Sequence, residues 1–409
     1  MYTFFPEAFS LSSLQSTNKI TIKGNNVVKL TSKLLVIGTL LISLAAFANN
    51  STDRSVSEII PALEKNINQI MKANGIPGVA VAIVSRDKIY YIKGFGVKKI
   101  GQQDKITPTT LFQIGSLSKP VHATLVGILQ DQGKLSFHDP VSQYVPHFKV
   151  TNAKQPVKIC HLMSHSTGVP NGGFNERIES YTPRENIVAK LQKTKAIAQP
   201  GKSFVYHNAM YGVVEDVVSS ACGKRLDTVI KQELFTPLGM QHACIGYEQM
   251  LMATDKAYPH IPNGRGKYMP AQKYSTSYYA FPAAGGINAS VKDLVPFLQL
   301  YLGKPSHIVS KLTLEQLTHP FVKNPRAVIV WQAKKGKVTN PSYGLGWHQM
   351  TYANKKIVYH QGHLKGFRNF MGYVEDDVGI IILTNAEKKH ASKIALNFFD
   401  LYLTARAKS

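Results

Sequence analysis

The order of hydrophobic patterns along the chain predicts its architecture. A capping box at Ser55 and Glu58 precedes apolar residues at helical spacing as far as Met71, which indicates an N-terminal amphipathic helix. Two β-rich apolar runs follow at 78–84 and 89–97, and the short polar segment between them predicts a hairpin turn. The chain therefore begins its folded part with a helix and two paired strands.

The remaining pattern places helices in the middle and strands near the end. A helix is predicted from Ser116 or Leu117, with Pro120 in its first turn, and short helical patterns broken by Pro and Gly fill the middle, including 185–191 and 210–221. Strands are predicted at 343–350, 356–360, 370–375 and 379–384, and a closing helix at 391–403. Strands at both ends of a helical middle predict an α+β fold, with an antiparallel sheet built from the two termini.

This pattern also predicts the domain organisation. We expect an α/β domain made of residues 49–135 and 335–409, and a mainly helical region inserted at 136–334. The preceding 48 residues have the features of a signal peptide, because an apolar run of 15 residues follows Lys29 and Lys33 and ends in Ala-Phe-Ala. A membrane anchor is the alternative, but a span needs about 20 apolar residues. A translation start at Val28 would give a leader of ordinary length.

These features predict an exported protein, periplasmic or extracellular, with no stable membrane span after cleavage behind Ala48. The whole chain has 409 residues, with 48 Lys plus Arg against 24 Asp plus Glu, a net charge of +24. Because 44% of residues are hydrophobic and only 18% charged, disorder is excluded as the main state. Without the leader, 44 basic and 23 acidic residues remain, so the folded part stays near +21.

A basic protein attracts polyanions, either nucleic acid or the anionic polymers of a cell envelope. The export signal argues against nucleic acid, so we expect contact with the envelope. Three cysteines, Cys160, Cys222 and Cys244, are too few for a disulfide framework and have no metal-binding spacing, which favours buried small hydrophobic roles. His161 and His165 have a zinc-compatible spacing, but the acid of H-E-x-x-H is missing, so packing or hydrogen bonding is expected.

Candidate chemistry comes from a Ser-x-x-Lys motif, which occurs as the pairs Ser16/Lys19, Ser85/Lys88 and Ser116/Lys119. The first pair lies ahead of the apolar leader and the second in the predicted hairpin turn. The third follows Gly115 at the start of a predicted helix, where free N–H groups and the helix dipole stabilise negative charge. A lysine one turn away favours the alkoxide of Ser116 and makes that serine the candidate nucleophile.

Two further triplets accompany this motif. Tyr-x-Asn occurs as Tyr206-His207-Asn208 and as Tyr352-Ala353-Asn354; the first follows Pro-Gly-Lys-Ser-Phe-Val and lies 90 residues after Ser116, whereas the second sits in a predicted turn. His360-Gln361-Gly362 ends a predicted strand, whereas the competing Lys334-Lys335-Gly336 lies in a charged stretch typical of a solvated loop. We therefore favour the triplets beginning at Tyr206 and His360.

With these triplets the sequence resembles the serine β-lactamase and penicillin-binding protein superfamily, whose signature is S-x-x-K, then S-D-N or Y-x-N, then K-T-G or H-x-G. The segments HLMSHSTGVP, PAAGGINASVKDL and YGLGW agree with the branch of class C β-lactamases, DD-peptidases and related esterases. The absence of Gly-x-Ser-x-Gly argues against an α/β-hydrolase nucleophile elbow.

The resemblance implies a β-lactamase/transpeptidase-like fold and an acyl-enzyme mechanism without metal or organic cofactor. Ser116 would attack a carbonyl, Lys119 and Tyr206 would move the proton, and Asn208 would bind the amide carbonyl of the substrate. The backbone N–H groups of Ser116 and His363 would form the oxyanion hole.

His360, Gln361 and Gly362 would line the substrate site, where His and Gln replace the Lys and Thr of K-T-G enzymes. A neutral imidazole supplies no fixed positive charge, which disfavours efficient β-lactam turnover. The substrate classes implied are β-lactams, D-amino-acid peptides, and small esters or amides. The alternative is a catalytically weak penicillin-recognising or cell-wall-binding protein with the same fold.

Overall fold

The structure is a computed structural model that describes residues 51–264, 266–325 and 338–408. The predicted leader with its Ser16/Lys19 pair, and the triplet Lys334-Lys335-Gly336, lie outside the described residues. None of the described helices is long and apolar enough to cross a membrane.

The described strands share an antiparallel arrangement within their sheets. In chain order they are β1 (Gly78–Val84), β2 (Ile89–Gly96), β3 (Phe112–Gln113), β4 (Cys244–Ile245), β5 (His260–Pro262), β6 (Tyr268–Pro270), β7 (Ile287–Ala289), β8 (Val322–Lys323), β9 (Val338–Tyr343), β10 (His348–Tyr352), β11 (Lys355–Leu364), β12 (Phe367–Val374) and β13 (Gly379–Thr384).

The described α-helices fall mostly between these strands and close the chain. They are α1 (51–74), α2 (Ser118–Asp131), α3 (Ile159–Met163), α4 (Phe174–Glu179), α5 (Arg184–Lys193), α6 (Asn208–Cys222), α7 (Leu226–Ile230), α8 (Tyr247–Met252), α9 (Pro282–Gly285), α10 (Val291–Tyr301), α11 (Lys311–Leu317) and α12 (His390–Arg406). Short 3₁₀ turns occupy Gly115–Leu117, Val141–Gln143 and Ser277–Ala280, and a π-turn at Lys231–Phe235 extends α7.

The main sheet joins the two ends of the described chain. Its strand order is β2-β1-β13-β12-β11-β10-β9-β8, while β3-β7-β4 and β5-β6 form two small sheets. The N-terminal strand β1 pairs with β13, from Val79 opposite Thr384 to Val84 opposite Gly379. The α+β fold, with an antiparallel sheet built from N- and C-terminal segments, is therefore confirmed.

Both faces of this sheet are covered, and the two-residue repeat of β1 shows how. Val81 and Ile83 belong to a core formed with α1 and α12, whereas Ala80 and Ala82 belong to the core that contains α2 and α10. Every residue of β1 is buried, as expected for a strand covered on both sides. The second core carries the candidate catalytic helix α2.

Most predicted elements are confirmed, with differences at their ends. The capping box predicted at Ser55 and Glu58 is wrong, because α1 already includes residue 51 and both residues lie inside it. The hairpin after β1 forms, and Ser85 N donates to Lys88 O over 2.9 Å. The single strand predicted at 343–350 is wrong, because the chain reverses between Tyr343 and His348, with Gly346 at φ +88°. Gly344 and Gly346 lie in this reversal, but Leu345 and Trp347 alternate with them and resemble strand residues, so the pattern hides the turn.

The expectation that the three cysteines are buried is correct for one of them. Cys160 is buried, but Cys222 and Cys244 are partly exposed, and all three are unpaired. The division into an α/β domain and an inserted helical region remains a prediction.

Candidate active site

Ser116 and Lys119 meet at the beginning of α2. Gly115, at φ +57°, opens the 3₁₀ turn that contains Ser116, and α2 begins at Ser118, slightly later than predicted. Lys119 Nζ donates to Ser116 Oγ over 3.1 Å. The candidate nucleophile therefore lies one helical turn from a fully buried amine.

The surroundings of Lys119 suit a group that exchanges a proton. Its Nζ also donates to Asn208 Oδ1 over 2.7 Å and to the Ala284 carbonyl over 2.6 Å, so the ammonium form has three acceptors. Burial acts in the opposite direction and lowers the pKa of Lys119 well below its usual value. The charged form is held by hydrogen bonds and disfavoured by desolvation, which brings the two protonation states closer in energy.

Tyr206 and Asn208 approach this pair from the segment that enters α6. Lys119 Nζ lies 4.8 Å from the centre of the Tyr206 ring. Burial raises the pKa of the Tyr206 phenol, and its hydrogen bond with Ser116 partly opposes that shift. The phenol is therefore protonated at neutral pH and can donate to a group that develops negative charge.

Asn208 is fixed at both ends of its amide. While Oδ1 accepts from Lys119, Nδ2 donates to the Tyr278 hydroxyl over 2.8 Å, and that hydroxyl donates to Glu179 Oε1 over 3.2 Å. The competing Tyr352-Ala353-Asn354 forms the turn between β10 and β11, with Ala353 and Asn354 at positive φ. The structure thus brings the favoured Tyr-x-Asn to the serine.

The far wall of the site is β11. An added methyl group on Gly362 would lie 1.9 Å from the Ile114 carbonyl oxygen, and one on Gly115 would lie 2.8 Å from His363 N. The two glycines therefore permit a backbone approach that larger residues would block. The backbone of His363 consequently lies beside the turn of Ser116, where an oxyanion hole made by both N–H groups is expected.

His360 is buried and hydrogen-bonded at both ring nitrogens. Its Nδ1 lies 2.8 Å from the Gln361 carbonyl oxygen, which requires an N–H there, so Nε2 accepts from the Tyr343 hydroxyl at 3.0 Å. Burial, together with the nearby His348 and Lys119, lowers the pKa of His360 well below its usual value. The imidazole is therefore neutral at pH 7.

These walls enclose a cleft of about 990 Å³. Besides Ser116, Tyr206, Asn208 and residues 360–363, its lining includes charged side chains at Glu179, Lys323 and Arg368 and apolar side chains at Pro170, Ile197 and Phe204. Every site residue predicted from the sequence borders this cleft except Lys119, which lies beneath it.

The two histidines considered for a metal have hydrogen-bonding roles instead. His161 Nδ1 accepts from Lys158 N and His165 Nδ1 from His207 N, each over 3.1 Å. The His165 ring also packs 4.3 Å from that of Tyr206. Helix α3 ends at Met163, so the pair is not on one helix. Among the described residues, no three His, Cys, Asp or Glu side chains could hold a metal ion.

Sequence reasoning missed the residues whose hydrogen bonds hold Lys119 and Asn208 in place, chiefly Ala284, Tyr278 and Glu179. Ala284 lies inside the segment PAAGG that the resemblance had marked, but nothing in that segment indicates a carbonyl aimed at Lys119. The remaining two lie in stretches without a recognisable motif. Their contacts join segments that are far apart in the sequence.

The site combines a serine on a 3₁₀ turn, a buried lysine one turn later, and a tyrosine whose ring centre lies 6.4 Å from that of His360. This combination defines a class of active-site-serine hydrolases. The family model described as Beta-lactamase matches residues 63–404. The chain belongs to the beta-lactamase family.

Individual relatives are distant. Protein flp of Staphylococcus aureus (strain N315) is 25% identical over 344 residues, which cover 81% of this chain and 64% of that protein. The chain thus spans less than two thirds of the length of the flp protein. A beta-lactamase of Pseudomonas fluorescens is 22% identical over 370 residues, covering 83% of this chain and 96% of the relative.

Solved structures show the same fold. The octameric penicillin-binding protein homologue from Pyrococcus abyssi superposes with a TM-score of 0.76 at 28% identity, over 84% of this chain and 77% of that one. The D-alanine carboxypeptidase AmpC from Burkholderia cenocepacia gives 0.65 at 21% identity, over 86% and 99%.

Proposed function

We propose that this protein is an exported serine hydrolase that works through an acyl-enzyme on Ser116. The observation that carries the proposal is the contact of 3.1 Å between Lys119 Nζ and Ser116 Oγ in a buried setting that disfavours the ammonium. Lys119 in its neutral form accepts the hydroxyl proton while Ser116 Oγ attacks the substrate carbonyl. The N–H groups of Ser116 and His363 receive the developing oxyanion.

Tyr206 then completes the proton transfers. Its phenol, protonated at rest, can donate to the leaving group and afterwards accept a proton from the water that cleaves the acyl-enzyme. Asn208, held by Lys119 and Tyr278, can offer its remaining amide hydrogen to a carbonyl of the acyl group. No step requires a metal or an organic cofactor.

The substrate classes are ranked by the chemistry of the third triplet. Neutral His360 and the amide of Gln361 provide no fixed charge for a carboxylate, which favours small neutral esters and amides over β-lactams and over peptides that end in a D-amino-acid carboxylate. The likeness to a D-alanine carboxypeptidase and to a beta-lactamase supports acyl transfer but does not choose among these classes.

A substrate panel with two serine variants tests the proposal. We expect at least one of a p-nitrophenyl ester, a D-Ala-D-Ala peptide and nitrocefin to be hydrolysed, and Ser116→Ala to lower kcat/KM by at least about 10³-fold. Ser85→Ala, in the hairpin copy of the motif, should behave as wild type. If no substrate turns over and fluorescent penicillin labels Ser116→Ala as well as wild type, the hydrolase proposal fails.

The second candidate differs in one observable. A catalytically weak penicillin-recognising protein would bind fluorescent penicillin covalently at Ser116 and release it slowly, with negligible nitrocefin turnover.

The envelope contact is tested separately, by binding to isolated envelope fractions at low and high salt. Binding that is unchanged at high salt would remove an electrostatic contact. N-terminal sequencing of exported protein should begin at Asn49.

A further inference from the structure

A second cavity adjoins the cleft at the end marked by His363. It has a volume of about 690 Å³ and is lined by Ile261, Pro262, His363, Lys365, Arg368, Glu387, Lys388 and Lys389. His363 and Arg368 also line the catalytic cleft. The cavity, called here the basic pocket, therefore lies beside the backbone that faces Ser116, near the end of β11 that leads into Lys365.

The basic pocket has a strong excess of positive charge. Four of its side chains are cationic, at Lys365, Arg368, Lys388 and Lys389, and its single carboxylate is Glu387. Lys389 directly precedes the first turn of α12, so the positive end of that helix dipole adds to the charge. Glu387 Oε1 lies 3.8 Å from His363 Nε2, too far for a hydrogen bond.

Arg368 is the cation of the basic pocket that also borders the catalytic cleft. It lies on β12 opposite His363, and its Nε is buried without a hydrogen-bond acceptor among the described residues. A buried guanidinium N–H without an acceptor is costly, and an oxyanion is the acceptor that fits its planar fork best. Burial also lowers the pKa of Arg368, an effect that Glu387 only partly offsets.

We propose that the basic pocket binds a multiply charged oxyanion of phosphate type carried by the substrate whose acyl bond is cleaved at Ser116. Arg368 would bind it bidentately, and the lysines would supply point charges. Arg368 lies directly opposite His363, whose N–H is expected in the oxyanion hole, so the anion sits a few bonds from the reacting carbonyl. This inference rests on the proposed function and names a substrate class for the same site.

Matched esters test the inference. One pair is phenyl butyrate and 3-(butyryloxy)phenyl phosphate, with the anion on the alcohol side; the other is p-nitrophenyl butyrate and p-nitrophenyl hemisuccinate, with a carboxylate on the acyl side. We expect the phosphate ester to exceed its neutral partner in kcat/KM by about tenfold at low ionic strength. Arg368→Gln should abolish this preference, so that the phosphate ester and its neutral partner have equal kcat/KM.

Lys193 is exposed, and Lys193→Gln is the matched control, which should preserve the preference for the phosphate ester. Two results overturn the inference: equal kcat/KM for the phosphate ester and its neutral partner, or an Arg368→Gln variant that slows neutral and anionic esters alike. A preference found only for the hemisuccinate would mean that the pocket selects a carboxylate, which also contradicts the phosphate assignment.

Calorimetry on Ser116→Ala separates this inference from the hydrolase proposal, because it needs no turnover. Phenyl phosphate should bind this protein, and Lys388→Gln, a second variant away from the strands, should weaken binding at least threefold. Absence of binding overturns the basic pocket even if esters are hydrolysed. Phosphate binding together with no wild-type turnover of any ester, D-Ala-D-Ala peptide or nitrocefin supports the pocket as an anion site and refutes the hydrolase.

Discussion

At the scale of single residues, the site depends on groups whose charge is set by burial. Lys119 and His360 are both fully or almost fully enclosed, and desolvation lowers the pKa of each. They differ in their hydrogen bonds, because Lys119 has three acceptors whereas His360 uses one nitrogen as donor and the other as acceptor. Of the two sites, only that of Lys119 has the hydrogen-bond acceptors that a buried cation needs.

That difference predicts the effect of restoring the lysine of the K-T-G triplet. His360→Lys would place a second cation near Lys119, with the Tyr343 hydroxyl as its main neighbour. We expect a loss of about 3 kcal/mol in the free energy of unfolding at pH 7, because a buried charge lacks a counterion. Nitrocefin turnover should not rise more than about threefold.

Chemical denaturation and nitrocefin assays of His360→Lys and of the neutral His360→Gln measure both effects. The neutral variant should lose less stability than the lysine variant. A His360→Lys protein that is as stable as wild type and hydrolyses nitrocefin rapidly would show that the position accepts a cation.

The sequence allowed part of this site to be predicted at the residue scale. Ser116, Lys119, Tyr206 and Asn208 could be chosen because their spacing and flanking residues separate them from the competing copies of the same motifs. Ala284 could not, because a backbone carbonyl has no residue signature and its contact with Lys119 spans 165 positions. Arg368 likewise looks in the sequence like any arginine on a strand.

At the scale of elements, the close approach of β11 to the turn before α2 determines the oxyanion hole. The predicted end of this strand at His360 was too early, since β11 continues to Leu364 and pairs with β12 along that length. The glycine within it gives a weak strand signal, yet it is the residue that permits the approach to Ile114. By contrast, strand β13, with three consecutive isoleucines and a leucine, was predicted with its observed bounds.

This approach predicts the effect of a single methyl group. Gly362→Ala would place that group 1.9 Å from the Ile114 carbonyl oxygen, so β11 must move away from Ser116. We expect kcat for the best ester to fall by about 10²-fold, which is typical of losing one oxyanion donor.

Gly133→Ala is the control for this substitution, since its added methyl group contacts nothing within 4 Å although its φ is +70°. It should cost about 1 kcal/mol of stability through backbone strain and leave kcat unchanged. Equal kcat values for Gly362→Ala and wild type, measured in the same esterase assay, would show that the spacing of β11 is not critical.

At the scale of the whole molecule, the main sheet separates two cores, and only one of them contains the helix that carries the site. One contains α1 and α12 and lies on the face away from the candidate site, whereas the other contains α2 and the helices of the middle region. Because α2 carries Lys119, a packing defect in the second core can displace the reacting groups. A defect in the first core has no such direct route.

A matched pair of substitutions tests this separation. Leu63 in α1 and Leu125 in α2 are both buried, one in each core. Either Leu→Ala change should lower the free energy of unfolding by about 2–5 kcal/mol, through lost burial and the cavity left behind. Measured well below the unfolding transition, Leu125→Ala should also reduce kcat several-fold because α2 relaxes into the cavity, while Leu63→Ala stays within twofold of wild type. If Leu63→Ala impairs kcat as much as Leu125→Ala at equal folded fraction, the sheet transmits the defect across its thickness, and packing in both cores affects catalysis.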